Sequence, residues 1–184
     1  GVQEGQATTT GYMLFKRFNR SISKTSPGVA SQNRPSIIFR LADFYLIYAE
    51  VANEVNPSDS RVLTYLNLVR ERAGLPKVEI LNPGIVGNKE LQRAAIQRER
   101  QIELATEGQR YFDVRRWMIA DKDGEGRQNG YAHGMNVRGT INDTEEFNRV
   151  VETEKIVFNR KMYLQPIPDH EMRKTQNLVQ NPGW

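Results

Sequence analysis

Residues 41–52 read Leu41-Ala42-Asp43-Phe44-Tyr45-Leu46-Ile47-Tyr48-Ala49-Glu50-Val51-Ala52, and this run decides the fold class. It is apolar nearly all round, the mark of a helix buried on most sides. Its two charges, Asp43 and Glu50, are seven apart and share a face, and Arg40 and Glu54 extend the same stripe. Downstream, Asn56-Pro57-Ser58 supplies a turn and a helix cap. A second helix follows with Val62, Leu66, Val69 and Ala73 on one stripe. Gly74 falls where a left-handed closing residue is wanted, and Pro76 prevents continuation. Two helices joined by a short loop form an antiparallel hairpin the length of one tetratricopeptide unit. No second copy follows, so the pattern does not describe a solenoid.

Farther out, Asn82-Pro83-Gly84 breaks the chain and Asn88 caps a third helix expected from Lys89 to about Glu107. On it Leu91, Ala95, Ile102 and Ala105 share an arc, with Arg98 inside that arc. Gly108 ends or kinks the helix, and residues 110–119 resume it. Residues 121–148, with Gly124, Gly126, Gly130, Gly134 and Gly139, read as loop. Residues 155–158 and 162–164 read as short strands around a turn at 159–161. One helical turn is expected at 169–174, within a proline-punctuated end. The fold expected is mainly α, with long loops and at most a small β-hairpin. An irregular lead-in at 1–39 precedes a helical domain at 40–184.

Composition narrows the function. The chain has 184 residues, 38% of them hydrophobic, enough for one compact domain. Its net charge of +4 is mildly basic, but arginines alternate with glutamates, as in Arg98-Glu99-Arg100, which argues for ion pairing rather than nucleic-acid binding. Without cysteine there is no disulfide, thiol nucleophile or thiolate metal site. No stretch approaches the ~20 apolar residues of a membrane helix. The start, Gly1-Val2-Gln3-Glu4-Gly5, has no initiating Met and no signal-peptide pattern. A longer natural protein is expected, with any export signal or lipid-attachment cysteine outside this sequence.

Glu99, Glu103 and Glu107 stand four apart on one helix. Paired carboxylates bind divalent metals or run glycoside hydrolysis, which opens a hydrolase reading centred on Glu99 and Glu103. Helical di-metal sites, however, use a Glu-x-x-His pattern, and neither His133 nor His170 follows a Glu at that distance. Stacked like charges need answering cations, and Arg98, Glu99, Glu103, Arg110, Asp113 and Arg116 are read as a structural charge network. No catalytic residue and no metal ligand is assigned. Asp121-Lys122-Asp123-Gly124-Glu125-Gly126 begins like a calcium loop, but its twelfth position is Ala132. For a ligand, Tyr131 in the glycine-rich stretch beside Asn129 and His133 is the best candidate, because sugar rings stack on aromatic planes while polar side chains take their hydroxyls. Trp117, in a dense helical run, is assigned to the core.

Five segments in order resemble the C-terminal region of the SusD/RagB family. They are Arg40-Leu41-Ala42-Asp43 through Tyr48-Ala49-Glu50; Val69-Arg70-Glu71-Arg72-Ala73-Gly74-Leu75; Glu99-Arg100-Gln101-Ile102-Glu103-Leu104 with residues 107–117; Tyr163-Leu164-Gln165-Pro166-Ile167-Pro168; and Gln180-Asn181-Pro182-Gly183-Trp184. The resemblance implies a SusD-like helical domain with tetratricopeptide-like helix pairs, lipid-anchored at the outer membrane of Bacteroidetes-type bacteria. It implies a surface lipoprotein that binds an oligo- or polysaccharide without catalysis or cofactor and serves a TonB-dependent, SusC-like transporter. The motifs themselves look like scaffold, so no binding residue is carried over. A helical protein-interaction scaffold without small ligand is the other non-enzymatic reading.

Overall fold

The 41–52 run folds as helix α1, Leu41–Val55, in a computed structural model that describes Leu14, Lys16 and residues 37–122, 130–135 and 149–184. Helix α1 buries Ala42, Asp43, Leu46, Ala49 and Asn53. Leu41, Phe44, Tyr48, Val51 and Val55, at alternating spacings of three and four, stay exposed. A helix apolar all round is thus covered on one face rather than on most sides.

Helix α2, Arg61–Arg72, starts later than its sequence suggests. Asp59 Oδ1 accepts from the Arg61 amide at 2.9 Å, while Asn56 Oδ1 accepts from the Ser58 amide at 3.1 Å. Asp59, not Ser58, therefore answers the first amide of the helix. Its end follows the expected pattern. Gly74 has φ of 75°, its amide donates to Glu71 O at 3.0 Å, and the Leu75 amide reaches Arg70 O at 2.9 Å. That pair of bonds closes a helix through a left-handed residue. After a short α3, Val78–Leu81, Asn88 Oδ1 caps α4, Lys89–Glu103, by accepting from the Leu91 amide at 3.1 Å.

Helices α1, α2 and α4 close around Leu46, Ala49, Val62, Leu66, Val69, Ile85 and Ile96. At ~25 cal/mol per Å2 of buried apolar surface, these side chains are the main stabilising term. The expected apolar arc of α4 is not its inner face. Leu91 is 40% and Ile102 57% exposed, and the buried side chains are Gln92, Ile96, Glu99 and Arg100. The helix turns charges inward because guanidinium and carboxylate groups from neighbouring segments meet them there. It also stops four residues early, since Thr106 at φ 67° and Gly108 at φ 85° reverse the backbone. Helix α5 then spans Gln109–Arg116, and Met118 at φ 54° marks the break after it.

The contacts divide the chain into two compact units, one of Arg34–Asp113 and one that includes Val114–Trp184. In the latter, Val114, Ala120 and Phe158 form a small core with Met162 and Tyr163 packed on it. Strands β1, Gly130–Met135, and β2, Arg149–Ile156, pair antiparallel, with a register shift between Tyr131 and Ala132. Residues 130–135 are therefore strand rather than loop. The expected pairing of 155–158 with 162–164 does not form. Residues Arg160–Tyr163 make a single 3-10 turn instead, held by the Met162 amide donating to Asn159 O at 2.8 Å. A short α6, Asp169–Met172, supplies the helical turn near the end.

Candidate functional site

The carboxylate row of α4 is braced from three directions. Glu99 accepts from Arg70 Nη1 of α2 at 2.8 Å. Glu103 accepts from Arg40 Nη1 at 2.5 Å and from Arg72 Nη2 at 2.6 Å. Just beyond the helix, Glu107 takes Arg40 Nε at 2.8 Å and Nη2 at 2.9 Å. Arg40 holds its proton more tightly than usual, chiefly through its bond to Glu107 and against the opposing effect of burial. Below this row Arg100 has a side chain only 2% exposed. It forks onto Asp113 of α5 at 2.9 and 3.1 Å and reaches Asp43 of α1 at 2.8 Å. Two-pronged guanidinium–carboxylate contacts are strong and directional, so this cluster is a cross-brace tying α1, α2, α4 and α5.

Glu99, Glu103 and Asp113, all expected in a charge network, lie within it. Arg98 instead lies exposed on the outer side of α4. Arg116 spreads over the Trp117 ring at 4.6 Å, and Arg110 is half-buried on α5. Cations that meet Glu99 and Glu103 come from α2 and from ahead of α1, Arg70 on Glu99 and Arg72 with Arg40 on Glu103. The sequence signal for Arg40 was its place on the stripe of Asp43. Among the described residues no three Asp, Glu or His side chains converge as a metal site. Asp121, the first residue of the calcium-like run, accepts from the Tyr163 hydroxyl at 2.5 Å. That bond holds its carboxyl below the usual range, while burial first, and then Asp121, raises the Tyr163 phenol.

Among the described residues of the Arg34–Asp113 unit, a larger and a smaller recess open. The larger, about 440 Å3, is walled by the turn at Ser58 and Ser60, by Leu63, Thr64 and Leu68 of α2, and by Val86-Gly87, with Gln92 of α4 in its lining. Gly87 has φ of 72°, and a Cβ there would stand 3.6 Å from Ser58 Oγ, so the two loops face each other at close range. The smaller, about 200 Å3, is lined by Tyr48, Val51, Val55 and Arg61, whose guanidinium lies 5.7 Å from the Tyr48 ring centre. Sequence reasoning missed both, because their walls come from segments with no shared motif.

Residues 2–184 match the model of the SusD family. The chain belongs to the SusD family. It is 44% identical over 106 residues to SusD-like protein P25 of Formosa agariphila, covering 58% of this chain and 19% of that protein. SusD-like protein P2 of the same organism is 31% identical over 153 residues, covering 80% and 26%. Among solved structures, a SusD-like protein from Bacteroides fragilis superposes with a TM-score of 0.65 at 31% identity, covering 81% of this chain and 26% of that one. The chain thus spans about a fifth to a quarter of the length of the relatives it matches.

The SusD-like segments act in pairs. Gln180 bonds both backbone groups of Ile167, its Oε1 accepting from the amide at 2.8 Å and its Nε2 donating to the carbonyl at 2.9 Å. Asn181 donates to Gln165 O at 2.6 Å. Trp184 Nε1 donates to both Lys161 O and Leu164 O at 3.0 Å, under the Lys161 ammonium 4.3 Å from its ring centre. The closing motif therefore clasps the 163–168 motif. Of the ligand candidates, Asn129 lies outside the described residues, while Tyr131 and His133 stand on β1, opposite Lys155 and Val151 of β2.

Proposed function

We propose that this chain is part of a non-catalytic nutrient-binding protein of the outer-membrane surface. Its cargo is a glycan polymer, which it passes to a SusC-like, TonB-dependent transporter. The observation that carries this reading is the SusD-family match over residues 2–184. The site geometry supports it, since Glu99, Glu103 and Glu107 each accept from a guanidinium. Carboxylates so engaged serve cohesion rather than proton transfer. Within this reading Tyr131, Asn129 and His133 are assigned to sugar contact, on the chemistry of an aromatic plane flanked by polar groups.

A polysaccharide panel tests the reading by calorimetry on the full-length protein, with reducing-sugar release followed in parallel. Binding of at least one glycan, without release, is the expected result, and Tyr131→Ala should weaken it. Release of reducing sugar that disappears in Glu103→Gln would overturn the non-catalytic reading and favour the hydrolase.

A further inference from the structure

We propose that the larger recess of the Arg34–Asp113 unit is a further binding site, for a neutral polyhydroxylated ring the size of one sugar residue. This rests on the nutrient-binding reading and adds a site built from α2 and α4, separate from the residues assigned on β1. The volume, about 440 Å3, falls within the ~300–1,000 Å3 of small-ligand sites.

The feature that points to a ligand is Gln92. Its side chain is 1% exposed, yet its Oε1 accepts no hydrogen bond. Buried amide oxygens are nearly always satisfied, because leaving one bare forfeits its bonds to water without replacement. Asn67, which lines the same recess, has both ends engaged. It donates to Glu79 Oε2 at 2.8 Å and accepts from the Val78 amide at 3.0 Å. The last torsion of a glutamine is soft, so a small turn of the Gln92 carboxamide presents its oxygen to the cavity.

The lining sets the ligand's chemistry. Asp59 is held by Arg61 at 2.6 Å, Glu71 lies 3.5 Å from Lys77 Nζ, and Glu79 receives Asn67. The charged groups are thus answered inside the protein, which disfavours a charged guest. The uncharged part of the lining includes Gln92, Ser58, Ser60, Leu63 and Leu68. Hydroxyls both give and take hydrogen bonds with such groups, and the C–H face of a sugar ring suits the leucines.

The test is two-dimensional NMR on the purified chain, titrated with glucose, galactose, mannose and N-acetylglucosamine, and separately with glycinamide as a cationic probe. A neutral sugar should shift the Gln92 side-chain amide and the Thr64 and Gly87 backbone amides, saturating in the millimolar range. Gln92→Leu removes the acceptor, and Leu68→Trp fills the cavity from an exposed position. Each should weaken binding by about tenfold or more, while Gln92→Leu melts no lower than the parent. Absence of sugar-induced shifts at these residues, unchanged affinity in both variants, or a response to glycinamide alone overturns the site. If the full-length protein binds its polysaccharide equally with both variants, this site falls and the nutrient reading stands. If a sugar shifts Gln92 while the full-length protein binds no polysaccharide, the site stands and that reading falls.

Discussion

Arg100 shows at the scale of one residue how a charge survives burial. Its guanidinium has both Asp43 and Asp113 within 3.1 Å, and all three side chains are almost fully enclosed. Removing one member of a buried ion cluster is more damaging than replacing the whole, because the remaining charges lose water and partner together. Arg100→Met should therefore lower the unfolding free energy by ~3–5 kcal/mol, read from urea midpoints. A triple replacement by apolar residues should cost less. Glu54 illustrates the exposed limit. Arg93 first, then Lys89, draws its carboxyl from 4.5 down to about 2. A depressed folded-state pKa contributes stability above the unfolded value, and that contribution fades as pH falls through the folded one. The stability gap between the parent and Glu54→Gln should be full above pH 4.5 and vanish toward pH 2. Because the pair is solvent-screened, the gap should be no more than ~1 kcal/mol. Thermal melts across that window read it.

Helix boundaries depend on local chemistry that single substitutions probe at the scale of the element. Gly74 closes α2 at φ 75°, and nothing lies within 4 Å of a Cβ built there. Gly74→Ala should thus cost ~1–2 kcal/mol through backbone strain alone, whereas Gly74→Asn, tolerant of that conformation, should cost less. Denaturant midpoints of the two variants separate strain from crowding. Helix α1 offers the complementary case. Leu46 is fully buried while Phe44 and Val51 are 53% and 57% exposed. Leu46→Ala should destabilise by ~2–5 kcal/mol. Phe44→Glu combined with Val51→Lys should change stability by only ~0.5 kcal/mol but reduce binding of a hydrophobic dye, since an exposed apolar row attracts such probes. Equal losses in both variants would show that the outer row is packed in solution.

At the scale of the molecule, the Leu46–Leu66–Ile96 core and the bonds of Arg40, Arg70 and Arg100 all fall within residues 34–113. That segment expressed alone should keep its helical circular dichroism and melt cooperatively. A gradual, featureless melt would show that it needs the rest of the chain. Much of this unit was legible beforehand. Asn88 capping α4 and Gly74 closing α2 act over three or four residues, so the sequence by itself determined where α4 starts and where α2 stops. It also determined the family, through motifs whose order survives without any knowledge of contacts. Three things it left open were decided by tertiary structure alone. An all-round apolar α1 has no inner face until α2 and α4 choose one. The arginines that answer Glu99 and Glu103 lie on α2 and ahead of α1, up to 63 residues away, beyond the reach of any helical period. Residues 155–158 carry a strand pattern that names no partner. Pairing of Lys155 and Ile156 with Tyr131 and Gly130 is a non-local choice, settled by backbone hydrogen bonds available only once the chain has folded.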